Sequence, residues 1–212
     1  IEVVSNMYID RLSVIMVLII GIIGTLICVY ALGYMKDFQH HHAGEKDRRP
    51  WFFFVMFLFL AAMFGLVLSE NLIWMYFFWE VTSVISFLLI GYTRTEEAVN
   101  NSFRALWMNL VGGFGFAIAI AVAAATLGTV QLEAVVQTGA VIPVALLALA
   151  GLTKSAQLPF SSWLLGAMVA PTPSSALLHS ATMVKAGVFL LIRLSPALAG
   201  TMTGQMVSLI GG

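Results

Sequence analysis

The chain of 212 residues is 60% hydrophobic and 9% charged, and it carries no formal net charge at pH 7. Soluble domains contain roughly 45–50% apolar and about 25% charged residues, so this composition excludes an ordinary soluble protein. A neutral chain also does not fit a nucleic-acid partner. The composition predicts an all-α integral membrane protein that crosses the lipid bilayer several times.

Four long apolar stretches come first in the chain. Each is long enough to cross a bilayer as a helix. The predicted spans are Leu12–Tyr34, Trp51–Ser69, Leu72–Tyr92 and Phe103–Leu127. Glycines at positions 112, 113 and 115 interrupt the fourth span. Because small residues let helix backbones approach closely in membranes, these glycines predict tight contact with a neighbouring helix.

A fifth stretch is too short to cross the membrane without a break. It is apolar from Val141 only as far as the residue before Lys154, which is thirteen residues where about 20 are needed. Pro159 then removes a backbone donor and disfavours helix at the residue before it. We predict a helix broken by this proline, with a second short piece at Ser161–Ala170. We expect water to reach Lys154 at the break. A sixth span is predicted at Thr172–Leu194.

The loop charges predict an orientation. Basic residues concentrate at one set of span ends, at Lys36, Lys46, Arg48, Arg49, Arg94 and Arg104. The positive-inside rule places these loops in the cytoplasm and Ile1 on the other side, and we expect the inner membrane of a bacterium or archaeon. We expect the 212 residues to form one transmembrane domain that is a segment of a longer protein, because the chain lacks an initial methionine and its end falls where another apolar segment begins.

Neither a metal nor a cofactor is expected. Three consecutive histidines, at positions 40–42, cannot all face one metal on a regular element, and a solvated loop explains them. The chain contains no CxxC set, haem motif or dinucleotide fingerprint. Electrons are therefore not expected to pass through it, and no catalytic site is predicted within it.

Three ionisable residues, Glu80, Lys154 and Lys185, fall inside predicted membrane segments, where a charge costs at least about 2.5–3.5 kcal/mol on insertion scales. Glu80 is the ninth residue of the third span and lies too deep to reach the interface. Ser83 is within one turn of it and can hydrogen-bond in the same region. Lys154 ends the short fifth stretch. We predict that Glu80 and Lys154 pair across neighbouring helices, so that a small change at one switches proton binding at the other.

The sixth span carries His179 and Lys185, six residues apart. They lie about 120° apart around the helix and ~9 Å apart along it. Polar groups at such spacing can support a water-assisted proton path. The predicted supporting hydroxyls are those of Ser155, Ser175, Ser180 and Thr182, with Ser175 one turn before His179 on the same face. Arg193 lies at the end of the span and is interpreted as an interfacial anchor.

Three stretches resemble the antiporter-like subunits shared by respiratory complex I, multisubunit sodium/proton antiporters and energy-converting membrane-bound hydrogenases. They are YIDRLSVIM (8–16), NLIWMYFFWEVTSVISFLLIGY (71–92) and GLTKSAQLPFSSWLLGAMVAPTPSSALLHSATMVKAG (151–187). The last resembles the family's broken helix running into the helix that follows it. By position, Glu80 matches the family's membrane glutamate, Lys154 its broken-helix lysine, and His179 and Lys185 its relay positions on the next helix.

The resemblance implies a fold of two inverted five-helix repeats with proton translocation between half-membrane channels. Residues 51–195 would form the first repeat, and the second is absent from this chain. The implied partners are other membrane subunits of a multisubunit complex, including further antiporter-like subunits. The implied coupling is to redox chemistry or ion exchange elsewhere, in an oxidoreductase of the NADH:quinone or hydrogenase type or in an antiporter.

Other functions are compatible with the same residues. A self-contained Na⁺/H⁺ exchanger would work in liposomes without partners. A non-transporting membrane scaffold would tolerate loss of the buried charges. A member of the related inorganic-carbon uptake systems would require a soluble zinc-containing partner.

Overall fold

The computed structural model describes residues 6–41 and 47–211, without the side chains of residues 180 and 181. These ranges form ten α-helices. The helices are α1 Arg11–His41, α2 Arg49–Leu68, α3 Leu72–Ile90, α4 Glu96–Leu127, α5 Leu132–Thr138, α6 Val141–Lys154, α7 Ser162–Gly166, α8 Thr172–Ala176, α9 Met183–Leu198 and α10 Met202–Gly211. A π-helical turn, Leu177–Ala181, joins α8 to α9.

The multi-pass helical prediction is confirmed. Within the described ranges, five helical stretches are long and apolar enough to cross a membrane, and α6 is an apolar helix too short to do so. Several bounds differ from the prediction. The first helix continues to His41 rather than ending at Tyr34, and α4 begins at Glu96 rather than near Phe103. The short helices α5 and α10 were not predicted.

Side-chain caps set where the membrane helices begin. The side chain of Asn71 accepts a hydrogen bond from the backbone N–H of Ile73 (2.8 Å) at the start of α3. Thr95 accepts one from the N–H of Ala98 (3.2 Å) at the start of α4, whose first turn also carries two glutamates. Both caps satisfy amide donors that lack a partner inside the helix.

The glycine pair on α4 explains how three helices meet at one place. A Cβ atom on Gly112 would collide with the hydroxyl of Thr153 on α6. A Cβ atom on Gly113 would collide with the carboxylate of Glu80 on α3. The prediction of close helix approach is therefore confirmed, and glycine is required because any side chain would separate α4 from the two helices that carry the buried charges.

The inner faces of the helices form one apolar core, and the outer faces are apolar as well. Trp79, Phe116 and Trp163 are fully buried in the core. On the outer face of α1, Leu26 and Leu32 keep 64% and 62% of their surface exposed. A helix that is apolar on both faces fits a lipid environment, because hydrocarbon rather than water covers the outer face.

Extended segments link the helix ends on one side of the bundle. The N–H of Tyr8 donates to the carbonyl of Leu68 (2.9 Å), and the N–H of Leu132 donates to that of Glu70 (3.0 Å). Isolated bridges between residues 7 and 69 and between residues 71 and 131 result, and the described residues form no longer strand. The start of α1, the α2–α3 turn and the start of α5 therefore share one face.

Candidate functional site

The broken helix ends at Lys154 through a Schellman motif. Ala156 adopts a left-handed conformation with φ of 55°. The N–H of Gln157 donates to the carbonyl of Leu152 (3.0 Å), and the N–H of Ala156 donates to that of Thr153 (3.2 Å). This pair of bonds is the usual way to satisfy the last carbonyls of a helix, although glycine is the common residue in the left-handed position.

The position of Pro159 corrects the predicted cause of the break. The broken helix itself is confirmed, and Pro159 lies in the connection between α6 and α7. The helix has already ended at Lys154, however, so the left-handed Ala156 rather than the proline terminates it. The second piece is shorter than predicted, with α7 at Ser162–Gly166 followed by a 3₁₀ turn.

An indole N–H satisfies one of the backbone carbonyls at this break. Trp163 on α7 is fully buried, and its Nε1–H donates to the carbonyl of Thr153 at 3.0 Å. That carbonyl belongs to the last turn of α6 and also accepts the N–H of Ala156, so the indole supplies a second donor. Because Lys154 itself has no exposed surface, the break does not open the lysine to the outside of the described bundle, contrary to the expectation that water reaches it there.

The ammonium of Lys154 is held by α3. Its Nζ donates to the backbone carbonyl of Trp79 at 2.7 Å and to the hydroxyl of Ser83 at 2.9 Å. The same nitrogen lies 4.6 Å from the centre of the Trp79 ring, within the range of a cation–π contact. Two neutral oxygens and an aromatic face therefore surround a fully buried lysine.

Glu80 follows Trp79 directly in sequence but does not touch the lysine. One of its carboxylate oxygens is buried against Gly113 of α4 without a hydrogen-bond partner. Among the described residues, no ion pair within 4.0 Å joins Glu80 and Lys154. Glu80 and Lys154 therefore lie on neighbouring helices without direct contact, and their pairing stays a prediction.

Hydroxyl groups continue along α3 from the lysine toward α9. Ser83 donates to the Trp79 carbonyl (3.1 Å), and Ser86 donates to that of Thr82 (2.6 Å). The Ser86 hydroxyl also lies 2.8 Å from the sulfur of Met183, the first residue of α9. On the lysine's own helix, Ser155 is buried and donates to the carbonyl of Gly151 (2.7 Å).

The sixth span is interrupted where the sequence predicted a continuous helix. The π-helical turn contains His179, and Thr182 after it has φ of −138° and ψ of −69°. Thr182 donates its hydroxyl hydrogen to the carbonyl of Leu177, the first residue of the turn, at 2.7 Å. Ser180 lies in this turn, but its side chain is outside the described part of the structure.

The ring of His179 lies against Ser175, one turn earlier in the chain. The Nδ1 atom lies 2.9 Å from the carbonyl oxygen of Ser175 and 3.4 Å from its hydroxyl. Since a carbonyl oxygen can only accept, Nδ1 carries the proton in this contact. In the neutral ring, Nε2 is then the atom that can accept a proton.

Lys185 does not join the group around Lys154. Its side chain is exposed on the surface of α9, and no contact of its ammonium with another described polar group is found. The structure therefore brings Lys154, Ser83 and the Glu80 turn together and orients His179 separately. Lys185 faces the outside of this part of the bundle.

Sequence reasoning missed a second charged group, the Asp10–Arg193 clasp, formed by Tyr8, Asp10, Ser13 and Arg193. The guanidinium of Arg193 lies 3.2 Å from a carboxylate oxygen of Asp10 and donates to the hydroxyl of Ser13 at 2.7 Å. It also stacks over the Tyr8 ring at 4.4 Å. Arg193 is therefore more than an interfacial anchor, because it ties the end of α9 to the start of α1.

The fold shifts the pKa values of two carboxyl groups in opposite directions: that of Asp10 in the clasp and that of Glu70 beside it. Desolvation by burial is the largest effect on Asp10 and opposes its ionisation, but hydrogen bonds from Ser13 and the charge of Arg193 together lower its pKa. Burial raises the pKa of Glu70, whose Oε1 accepts the backbone N–H of Glu133 at 2.7 Å. Glu70 lies in the turn between α2 and α3, outside the membrane-spanning segments.

The histidine run gives no described metal site. His40 and His41 end α1, and Nδ1 of His41 lies 2.8 Å from the carbonyl of Asp37. His42, like Ile1 and Lys46 used in the orientation prediction, is outside the described residues. Among the residues that are described, no group of three potential ligands could hold a metal ion.

Family comparison covers most of the chain. Residues 69–211 match the family described as NADH:quinone oxidoreductase/Mrp antiporter, TM, and residues 1–44 match the one described as NADH-ubiquinone oxidoreductase (complex I), chain 5 N-terminus. A Rhizobium meliloti (strain 1021) protein described as the A/B subunit of a K⁺/H⁺ antiporter is 44% identical over 192 residues, 86% of this chain and 18% of that protein. A Staphylococcus aureus protein described as antiporter subunit mnhA2 is 39% identical over 216 residues, 97% of this chain and 26% of that protein.

Solved structures show the same fold. A chain of the Mrp complex from Dietzia sp. DQ12-45-1b superposes with a TM-score of 0.83 at 32% identity, over 95% of this chain and 22% of that one. A chain of the membrane-bound sulfane sulfur reductase, an archaeal respiratory membrane complex, superposes with a TM-score of 0.80 over 96% of this chain and 42% of that one. At 20% identity, the second match concerns the fold alone. The present chain spans about a quarter or less of the sequence relatives it matches.

Proposed function

Because the chain belongs to the NADH:quinone oxidoreductase/Mrp antiporter family, we propose that it forms the proton-carrying part of an antiporter-like membrane subunit, with Glu80, Lys154, His179 and Lys185 as the relay. Membership makes the chain an integral, multi-pass part of such a subunit. Proton movement through this relay is coupled to redox chemistry or ion exchange elsewhere in the complex. The partners are the other membrane subunits of a multisubunit complex, including further antiporter-like subunits.

One observation carries the proposal: Lys154 is fully buried in a membrane helix, and no carboxylate of residues 6–41 or 47–211 is in contact with its ammonium. A buried charge without a contacting counterion is expensive, and such groups in membrane helices usually serve a transport path. Glu80 is close enough to act on it electrostatically. If Lys154 served only packing, an apolar residue of similar size could take its place at little cost in stability.

The proposed transfer begins with a change at Glu80. If the carboxylate is neutralised or moves away, the attraction that favours the ammonium form of Lys154 weakens and the lysine releases a proton. The hydroxyls of Ser83 and Ser86 lead from the lysine toward the start of α9. His179 then accepts the proton at Nε2, with Ser175 holding its ring.

The last step of the proposal takes the proton out of this part of the subunit. Lys185 lies on the exposed side of α9, so it passes the proton to groups outside residues 6–211. Ser155 and Thr182 donate to backbone carbonyls along this route, and Ser180 is included as a supporting residue from its place in the sequence alone. The proposed setting is the cytoplasmic membrane of a bacterium or archaeon, with the basic loops on the cytoplasmic side.

The test measures cation/proton exchange in membrane vesicles that contain the assembled complex with the full-length subunit. We expect Glu80→Gln and Lys154→Ala to lower the rate per assembled complex by at least about tenfold, and His179→Ala and Lys185→Ala to slow turnover. Lys36→Ala, which removes an exposed basic group at the end of α1, is the matched control and should transport normally. Wild-type rates in both Glu80→Gln and Lys154→Ala would refute the relay.

A further inference from the structure

We propose that Trp79 is a positioning residue of the relay: its ring and its backbone carbonyl, together with the Ser83 hydroxyl, form a docking station that holds the protonated Lys154 away from Glu80. The inference rests on the proposed function, because it assumes that Lys154 carries the transported proton. It adds a residue that is neither acidic nor basic to the control of that proton.

The backbone carbonyl of Trp79 accepts hydrogen bonds from three side chains. It accepts the Thr82 hydroxyl at 2.7 Å, the Ser83 hydroxyl at 3.1 Å and the Lys154 ammonium at 2.7 Å. Because Ser83 gives its one hydroxyl hydrogen to this carbonyl, its oxygen lone pairs are free to accept from the lysine. The arrangement presents two aligned acceptors to the ammonium.

The ring adds a contact that depends on charge. Trp79 is fully buried and packs on Phe116 with ring centres 5.4 Å apart, so the indole is fixed beside the ammonium. A cation is attracted to an aromatic face, most strongly to tryptophan and more when water is excluded, whereas a neutral amine is not. The station therefore favours the protonated lysine over the deprotonated one.

The geometry also separates the station from Glu80. The next residue in a helix projects about 100° away, and the carboxylate of Glu80 is turned to Gly113 of α4. The ammonium of Lys154 therefore has two possible binding positions on one turn of α3. One is the neutral docking station that it occupies here, and the other is the carboxylate of Glu80. The proton affinity of the docked lysine is set in part by Trp79.

The experiment compares the pH dependence of transport in vesicles that contain the assembled complex. Trp79→Leu removes the aromatic face and keeps the backbone carbonyl, so the alkaline limb of the pH profile should move to lower pH by about one unit. Trp79→Phe keeps a weaker aromatic face and should move it by less. Phe52→Leu is the control, because it removes a fully buried ring of α2 whose ring contacts are with Phe53 and Tyr92, and it should leave the midpoint in place.

The outcomes separate this inference from the proposed function. An unmoved midpoint in Trp79→Leu, with Lys154→Ala inactive, would overturn the docking station and leave the relay standing. Equal shifts in Trp79→Leu and Phe52→Leu would also overturn it, because general loosening of the core would then be the cause. If Trp79→Leu fails to assemble, Trp79→Phe decides, and an unmoved midpoint there counts against the station.

Discussion

Arg193 and Lys154 are both largely or fully buried, but their surroundings differ. The side chain of Arg193 is 11% exposed and touches the carboxylate of Asp10, whereas the ammonium of Lys154 has no exposed surface and is held by two neutral oxygens and a ring. A cation in contact with its counterion fastens two helix ends and has little freedom to change charge. A cation held by neutral groups remains sensitive to every charge nearby, as a proton carrier requires.

The largest difference should appear when each cation is replaced by methionine. Arg193→Met leaves Asp10 without its counterion and should destabilise the assembled complex by about 1–3 kcal/mol. Lys154→Met removes a desolvated charge. The Trp79 carbonyl keeps two hydroxyl donors, and the Ser83 hydroxyl loses the lysine as a donor but still donates to that carbonyl, so stability should stay within about 1 kcal/mol of wild type or rise. Thermal unfolding in detergent checks both. Equal destabilisation by the two variants would refute the contrast.

The next effect concerns the cap of the broken helix. Trp163→Phe keeps a large ring but removes the only side-chain donor to the Thr153 carbonyl recorded among the described residues. A buried acceptor that loses its partner costs about 1–3 kcal/mol, reduced here because Ala156 still donates to the same oxygen. Trp107→Phe, at an exposed tryptophan of α4, is the control for detergent-measured stability. Identical unfolding temperatures would show that the indole bond is dispensable.

A smaller effect, of opposite sign, is expected at the left-handed residue. Ala156→Gly should stabilise the protein by about 0.5–1 kcal/mol, because glycine adopts the observed φ of 55° without the Cβ clash. Ala148→Gly, in the regular part of the same helix, should destabilise by a similar amount. Unfolding temperatures that fall in both variants would contradict the Schellman assignment.

The smallest expected effect is a pH dependence near the clasp. The pKa of Glu70 is raised above 4.5 in the fold, so the native state binds this proton more readily than the unfolded chain, and stability should fall as pH rises through that window. Arg193, Glu133 and Asp10 are the charged groups that act on it. The lowered pKa of Asp10 acts in the opposite sense: its contribution is present above pH 3.8 and is lost on acidification.

The test is the unfolding temperature measured from pH 4 to 8 in wild type and Glu70→Gln. The variant should show a flatter decline toward neutral pH, because glutamine does not ionise. A decline of the same slope in both proteins would show that other groups produce it.

Sequence predicted the parts of the site that depend on charge in an apolar setting. Glu80 and Lys154 are conspicuous because an ionisable residue inside a membrane span needs a reason, and His179 was tied to Ser175 by helical spacing alone. The short run before Lys154 also showed that the helix must break. These inferences need only local composition and the thickness of a bilayer.

The other features of the site depend on tertiary contacts, or on backbone conformations that no residue in the sequence signals. Nothing in the sequence marks Ala156 as left-handed, since glycine is the usual residue there, so the break was assigned to Pro159. The irregular turn around His179 contains neither proline nor glycine. The side of α9 that Lys185 occupies, and the placement of Trp79 over Lys154, follow only from how the helices pack.

The most direct test of the account is cation/proton exchange by the assembled complex carrying Lys154→Met, with Arg193→Met as the matched cation control. We predict exchange at background for Lys154→Met despite normal assembly, and exchange in proportion to the amount of assembled complex for Arg193→Met. Exchange at the wild-type rate in Lys154→Met would contradict the claim that this lysine carries the proton.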